Sequence, residues 1–248
     1  MKKAIILVVV LMMVSCKEEA KKEVKTTNFP AEMEQVFTAH GGYDAWKAAT
    51  LLSFHKGDEV HTIDLQSRKT RISAANYSLG FDGSEVWLSQ KDSTAFKSNK
   101  DFYHNLYFYF YAMPFVLSDD GIHYEKTEDL VFEGNHYPGY KISYGANVGS
   151  SPDDNYMIYY NKDTHQMEWL AYTVTFNSKA PSEKFSIIRY NDWHKVGDLL
   201  LPKSITWYQQ DANGVPTKPR GAATEFIEPK ISNEEVQASF FEKPTALQ

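Results

Sequence analysis

Ten stretches of this chain are built from tyrosine, phenylalanine, tryptophan, threonine, isoleucine and valine and separated by short turns, which leaves few folds open to it. They fall at 51–65, 68–75, 85–90, 122–133, 137–144, 155–161, 166–177, 184–192, 199–210 and 221–230. Such residues fit a half-buried pleated surface. Alternation is clearest where Trp169, Ala171, Thr173 and Thr175 share one side and Leu170, Tyr172, Val174 and Phe176 the other. The connections Phe81-Asp82-Gly83, Asn161-Lys162-Asp163-Thr164, Val196-Gly197-Asp198 and Asp211-Ala212-Asn213-Gly214 place Asn, Asp or Gly where a hairpin needs unusual backbone angles. Strands joined this way pair antiparallel, so the body is mainly β (α+β).

Helices are expected in two places. After Asn28-Phe29-Pro30, the residues Met33, Val36, Phe37 and His40 recur at helical spacing, and Gly41-Gly42 stops the helix before a further turn at 43–48 that carries Trp46. Between Asp101 and Pro114 nearly every position is aromatic or apolar. A helix there would be buried on several sides and end near Ala112, since the residue before a proline avoids helical geometry. A buried strand over part of it fits the same pattern. These aromatics are either ordinary core or the lining of an apolar cavity.

The N-terminus sets the destination. Lys2 and Lys3 precede an apolar run from Ala4 to Val14. As a helix that run would span about 16 Å at ~1.5 Å per residue, against the ~30 Å of a bilayer core. It reads as a signal peptide over 1–15, and Ser15 before Cys16 matches a lipobox, in which the cysteine is acylated and becomes the mature N-terminus. Cys16 is the only cysteine, so no internal disulfide can form and stability must come from a core. Acyl chains on Cys16 would hold the protein on a membrane face, in the cell envelope at the outer membrane, facing the periplasm or the surface. Residues 16–27 read as the lipidated cysteine and a charged tether, whose Lys17-Glu18-Glu19 looks like a surface-export signal. No Pro/Gly/Ser-rich linker divides 28–248, which is read as one domain. The formal charge of −6 becomes more negative by two once Lys2 and Lys3 leave, which argues against a nucleic-acid partner.

Several local patterns then fall in a familiar order. They are Ala39-His40-Gly41-Gly42 with Trp46; Phe81-Asp82-Gly83 with Val86-Trp87; Tyr159-Tyr160-Asn161-Lys162-Asp163-Thr164; and Gly197-Asp198-Leu199-Leu200-Leu201-Pro202 leading to Trp207-Tyr208. Together they resemble the LolA-like lipoproteins of Bacteroidota, and they cover most of the mature chain. The resemblance implies a curved antiparallel sheet forming an incomplete barrel, with a few helices covering its concave face and an apolar interior. In LolA and LolB relatives such an interior receives the acyl chains of lipoproteins in transit. The lipidated Cys16 makes the chain more like the anchored LolB type.

The chemistry available is limited. The sequence has no Gly-x-Ser-x-Gly elbow, no His-Glu-x-x-His and no Gly-rich phosphate loop. His55, Glu59 and His61 share strand parity and could hold zinc, but Gly57 between them points to a bulge, and surface-exposed polar residues on a solvent face are the expectation. Ser151-Pro152-Asp153-Asp154-Asn155 and Asp119-Asp120-Gly121 offer oxygen ligands and read as solvated turns. The functional expectation is therefore a non-enzymatic, membrane-anchored protein without cofactor or metal. It would bind an acyl chain, lipid or lipoprotein against Trp46, Trp87, Phe102, Leu106, Tyr109 and Met113. The alternative is an envelope interaction protein with a packed core.

Overall fold

The computed structural model describes residues 29–119, 121–144, 154–176, 178 and 180–245. The signal segment, Cys16 and the tether lie outside these residues, as do Ser151, Pro152, Asp153 and Asp120. Among the described residues no helix is long and apolar enough to cross a membrane.

Helix α1 (Ala31–Ala39) buries Met33, Val36 and Phe37, the periodic positions of the sequence. Gly41 and Gly42 take φ of 106° and 98° and end it. Helix α2 (Tyr43–Ala48) follows and buries Trp46. Next come β1 (Leu51–Lys56), β2 (Glu59–Asp64), β3 (Thr70–Ala74), β4 (Tyr77–Phe81) and β5 (Val86–Gln90). The stretch 51–65 is thus two strands, because Gly57 adopts a positive φ of 60° and closes a hairpin between Lys56 and Glu59. Strand β4 has no counterpart in the sequence expectation. Its Gly80 reads as a strand breaker, yet it is required there, since a Cβ would come within 2.2 Å of the Thr70 carbonyl oxygen.

The aromatic segment forms two short helices, α3 (Lys100–Tyr103) and α4 (Leu106–Tyr111), with Ala112 as the C-cap of the second. The Asn99 side chain caps α3 by accepting from the N–H groups of Asp101 and Phe102. A 3₁₀ turn over Phe115–Ser118 completes the segment. Then a meander begins: β6 (Ile122–Phe132), β7 (Asn135–Tyr144), β8 (Tyr156–Tyr160), β9 (Met167–Tyr172), β10 (Ser186–Val196), β11 (Leu199–Gln210) and β12 (Pro216–Pro219), with β13 (Thr224–Glu225) also on β11. The last strand, β14 (Ile227–Ser232), returns to pair with β1.

Two antiparallel sheets result, one in the order β14-β1-β2-β3-β4-β5 and one running β12-β11-β10-β9-β8-β7-β6. The second curls into a half-barrel with few helices. Register shifts in β10, between Arg189 and Trp193, add twist where the strand must bend. Helix α4 and the 3₁₀ turn fill the space between the sheets. Phe108, Tyr111, Met113, Phe115, Val116 and Leu117 are all buried there, with Phe54 from the first sheet and Leu170, Ile188 and Tyr190 from the second in one core. A smaller apolar cluster lies on the other face of the half-barrel, around Trp169, Phe132, Tyr137 and Tyr159.

Candidate functional site

Where α3 and α4 meet the end of the half-barrel, the core leaves a pocket of about 120 Å³. Its helical side is Phe102, Leu106, Tyr109, Phe110 and Met113. The sheet side is Tyr144 of β7, Tyr156 of β8 and Tyr172 of β9, continued by Val174 and Phe176. Rings meet across it: Phe102 lies 5.3 Å from Phe176, and Phe110 lies 5.2 Å from Tyr172. Asp101, Asp119 and Asp154 are its charged members. Arg68 reaches both oxygens of Asp119, at 2.5 and 2.7 Å. Asp154 accepts from the Thr175 N–H and hydroxyl at 2.7 and 2.8 Å. Burial and neighbouring oxygens push the hydroxyls of Tyr109, Tyr144 and Tyr156 above the ordinary phenol range, so all stay protonated.

Four of the six residues singled out in the sequence, Phe102, Leu106, Tyr109 and Met113, line this pocket. The other two are elsewhere. Trp46 stacks on Phe115 with centroids 5.0 Å apart and planes 8° from parallel, inside the core. Trp87 sits under a second 3₁₀ turn, Ala238–Phe241 near the C-terminus, where its Nε1–H donates to the Phe241 carbonyl at 2.8 Å. Tyr144, Tyr156, Tyr172 and Phe176 were not singled out. The parity that puts Tyr172 and Phe176 opposite Trp169 was legible, but both faces of β9 are apolar, so parity could not say which one meets the helices.

The polar residues of the first sheet behave differently from expectation. Glu59 and His61 are buried, 3 % and 2 % exposed, not spread on a solvent face. The Glu59 carboxylate accepts from Lys56 Nζ at 2.7 Å, from the Tyr103 hydroxyl at 2.8 Å, from Tyr77, and from His61 at 3.1 Å. Burial alone would push Glu59 up, but the bonds from His61, Lys56 and Tyr77 outweigh it and hold it well below the usual carboxylate range. Burial pushes His61 down, so its neutral ring donates through Nε2. The hairpin at Gly57 puts His55 on β1 across from Val60, with its ring 3.7 Å from exposed Glu228. Among the described residues no three His, Cys, Asp or Glu side chains are grouped to hold a metal. With its oxygens taken up by donors, Glu59 acts as a tie between the sheet and α3.

His40 is a second buried tie. Its Nε2 accepts from the Met167 N–H at 3.0 Å, which leaves Nδ1–H to donate to the Leu200 carbonyl at 3.1 Å. Burial lowers its pKa to about 4. Beside it, a Cβ on Gly41 would stand 2.2 Å from the Asp198 carbonyl oxygen. The motifs at 39–42 and 197–202 therefore touch one another.

A profile described as "Family of unknown function (DUF6503)" matches residues 83–188. No curated protein matches the chain. Among solved structures, the chain is similar to a LolA superfamily protein from Nitrosomonas europaea, at 8 % identity and a TM-score of 0.38, over 78 % of this chain and 87 % of that one. It is also similar to a putative outer membrane lipoprotein-sorting protein domain from Vibrio parahaemolyticus, at 10 % identity and a TM-score of 0.37, over 85 % of this chain and 97 % of the other.

Proposed function

We propose that this chain is a lipid-anchored envelope protein that binds an apolar ligand, an acyl chain, lipid or lipoprotein, without performing chemistry on it. The observation that carries the reading is the pocket between α3, α4 and the half-barrel, apolar inside and furnished with a few polar groups at fixed positions. The Ser15-Cys16 pair supports the anchor, and the resemblance to LolA-like lipoproteins agrees with the ligand class. Size limits how the ligand sits. An engineered apolar cavity of about 150 Å³ takes up benzene, so about 120 Å³ accepts one end of a chain, and the remainder must leave through the mouth.

The test is native mass spectrometry and solvent extraction on the full chain carrying Cys16→Ser, which removes the acylation site. A lipid adduct, or uptake of added palmitoyl peptide, is expected, and Leu106→Trp should cut that uptake at least tenfold by filling the pocket. A clean apo mass with no uptake would favour a second reading, an interaction protein with a packed core. An open groove of about 710 Å³ over Leu130, Met157 and Ile187, on the outer face of the half-barrel, is the observation on its side.

A further inference from the structure

Buried tyrosines elsewhere in this core have partners for their hydroxyls. Tyr190 donates to the Phe110 carbonyl at 3.0 Å, Tyr124 donates to the Leu117 carbonyl, and Tyr111 meets His194 Nε2 at 3.2 Å. The pocket is the exception. Tyr109 of α4 stands on its helical wall, with Tyr144 of β7 and Tyr156 of β8 on its sheet wall, and none of these three hydroxyls bonds to another described residue. Nor are they sealed in. Among the described residues the buried side-chain polar atoms closed off from water without a partner are Arg68 Nη1, Trp169 Nε1 and Arg189 Nε, so the three tyrosine oxygens open on the pocket they line. The Tyr144 and Tyr156 rings meet edge to face at 5.8 Å. Beyond the effect of burial, Tyr109 raises the pKa of Tyr144 and both raise that of Tyr156, which puts the three oxygens in one region. Each therefore keeps its proton and has an O–H to donate. The charged groups close by are already matched: Arg68 holds Asp119, Lys100 lies 3.0 Å from Asp101, and Asp154 accepts from Thr175. What remains unmet is a set of neutral donors in an apolar enclosure. A plain hydrocarbon would leave them unpaired, and a carboxylate would be buried with no free cation on the lining to face it.

We propose that the hydroxyls of Tyr109, Tyr144 and Tyr156 read a neutral carbonyl oxygen, so that the pocket takes the ester or amide end of an acyl group. This deepens the binding reading above and rests on it. The carbonyl and the first few carbons attached to it occupy the pocket, and the rest of the chain leaves through the mouth. The recognised chemistry is the uncharged carbonyl, carried either by the ester of a glyceride or by the amide of an N-acylated peptide.

Four short compounds isolate the carbonyl: methyl pentanoate, N-methylpentanamide, heptane, which has the same chain length and no carbonyl, and the pentanoate anion. Their binding to the Cys16→Ser full chain is measured by ligand-observed NMR, and repeated with Tyr109→Phe, Tyr144→Phe and Tyr156→Phe, which keep each ring and remove one hydroxyl. At least one of these variants is expected to weaken the ester and the amide by about three- to tenfold, the worth of one hydrogen bond, while heptane stays within twofold. Melting temperatures should not fall, because the hydroxyls have no partner in the protein to lose. The linkage whose compound loses more identifies the source, the ester marking a glyceride and the amide an acylated peptide. Ester and amide affinities unchanged in all three variants, or heptane weakened as much as they are, would overturn the carbonyl reading and leave the apolar pocket standing. Pentanoate binding tighter than its methyl ester would overturn it too, and so would uptake of palmitoyl peptide without binding of either short carbonyl compound. Failure of every compound, peptide included, would remove the binding reading itself.

Discussion

His40 shows how one residue can carry both a motif and a pH dependence. With both ring nitrogens engaged and the side chain fully buried, it must remain neutral in the folded chain. Its pKa falls from 6.5 to about 4, and the gap corresponds to about 3 kcal/mol. The sign follows from which state takes up the proton. Above pH 6.5 the ring is neutral whether the chain is folded or not, and its full contribution is present. Between pH 6.5 and 4 the unfolded chain gains a proton that the folded one refuses, so stability falls and then levels off. Urea denaturation across this range should show that loss, and His40→Gln should be less stable at pH 8 by about 1–3 kcal/mol, having lost a buried partner, but flatter from pH 6.5 to 4.5. An unchanged slope in the variant would mean that His40 is not the titrating group. Below 4.5 Glu59 adds a loss of its own, because a carboxylate held down in the fold loses its contribution as pH drops through that value.

At the scale of elements, α3 is held by its side-chain bonds more than by packing. It spans four residues and buries none of them fully. Tyr103 ties it to the first sheet through Glu59 and by accepting from Lys56 at 2.9 Å. Its neighbour Phe102 lines the pocket, so the tie fixes one wall of the site. Tyr103→Phe should cost about 1–2 kcal/mol and speed amide exchange over residues 100–105 while β1 and β2 keep their protection. Glu59→Gln should cost more, about 3 kcal/mol, because it leaves the part-buried Lys56 ammonium without its anion; equal exchange rates in both variants and the parent would refute the tie. Little of this was legible beforehand. Turn residues and β-forming runs located most strands, and the aromatic run with its proline marked where α4 ends. Glu59, Lys56, Tyr77 and Tyr103 come from four elements, and nothing in their spacing shows that they converge. The pocket was half legible for a similar reason. Its helical wall lies in one aromatic segment, while its sheet wall is drawn from three strands.

Across the whole molecule, the half-barrel is apolar on both faces. Leu170 and Tyr172 of β9 face the helices, while Trp169 and Ala171 join the outer cluster with Phe132 and Tyr159. In a sheet with one wet face, sliding a strand by a single residue would expose its apolar set, and burial alone guards the pairing. That safeguard is weak here, because a slipped β9 would still offer apolar side chains to both sides. Shape has to supply the missing specificity, and Gly139 is where it does so. It pairs with Tyr159, and a Cβ at that position would lie 2.4 Å from the Tyr159 ring. Gly139→Ala should therefore cost about 1–3 kcal/mol through overpacking and broaden NMR signals along β7 and β8 as alternative pairings become populated. Sharp, single signals would show that alignment is fixed elsewhere. The strands of this half-barrel find their partners as a key finds a lock, by one absent atom rather than by which side is wet.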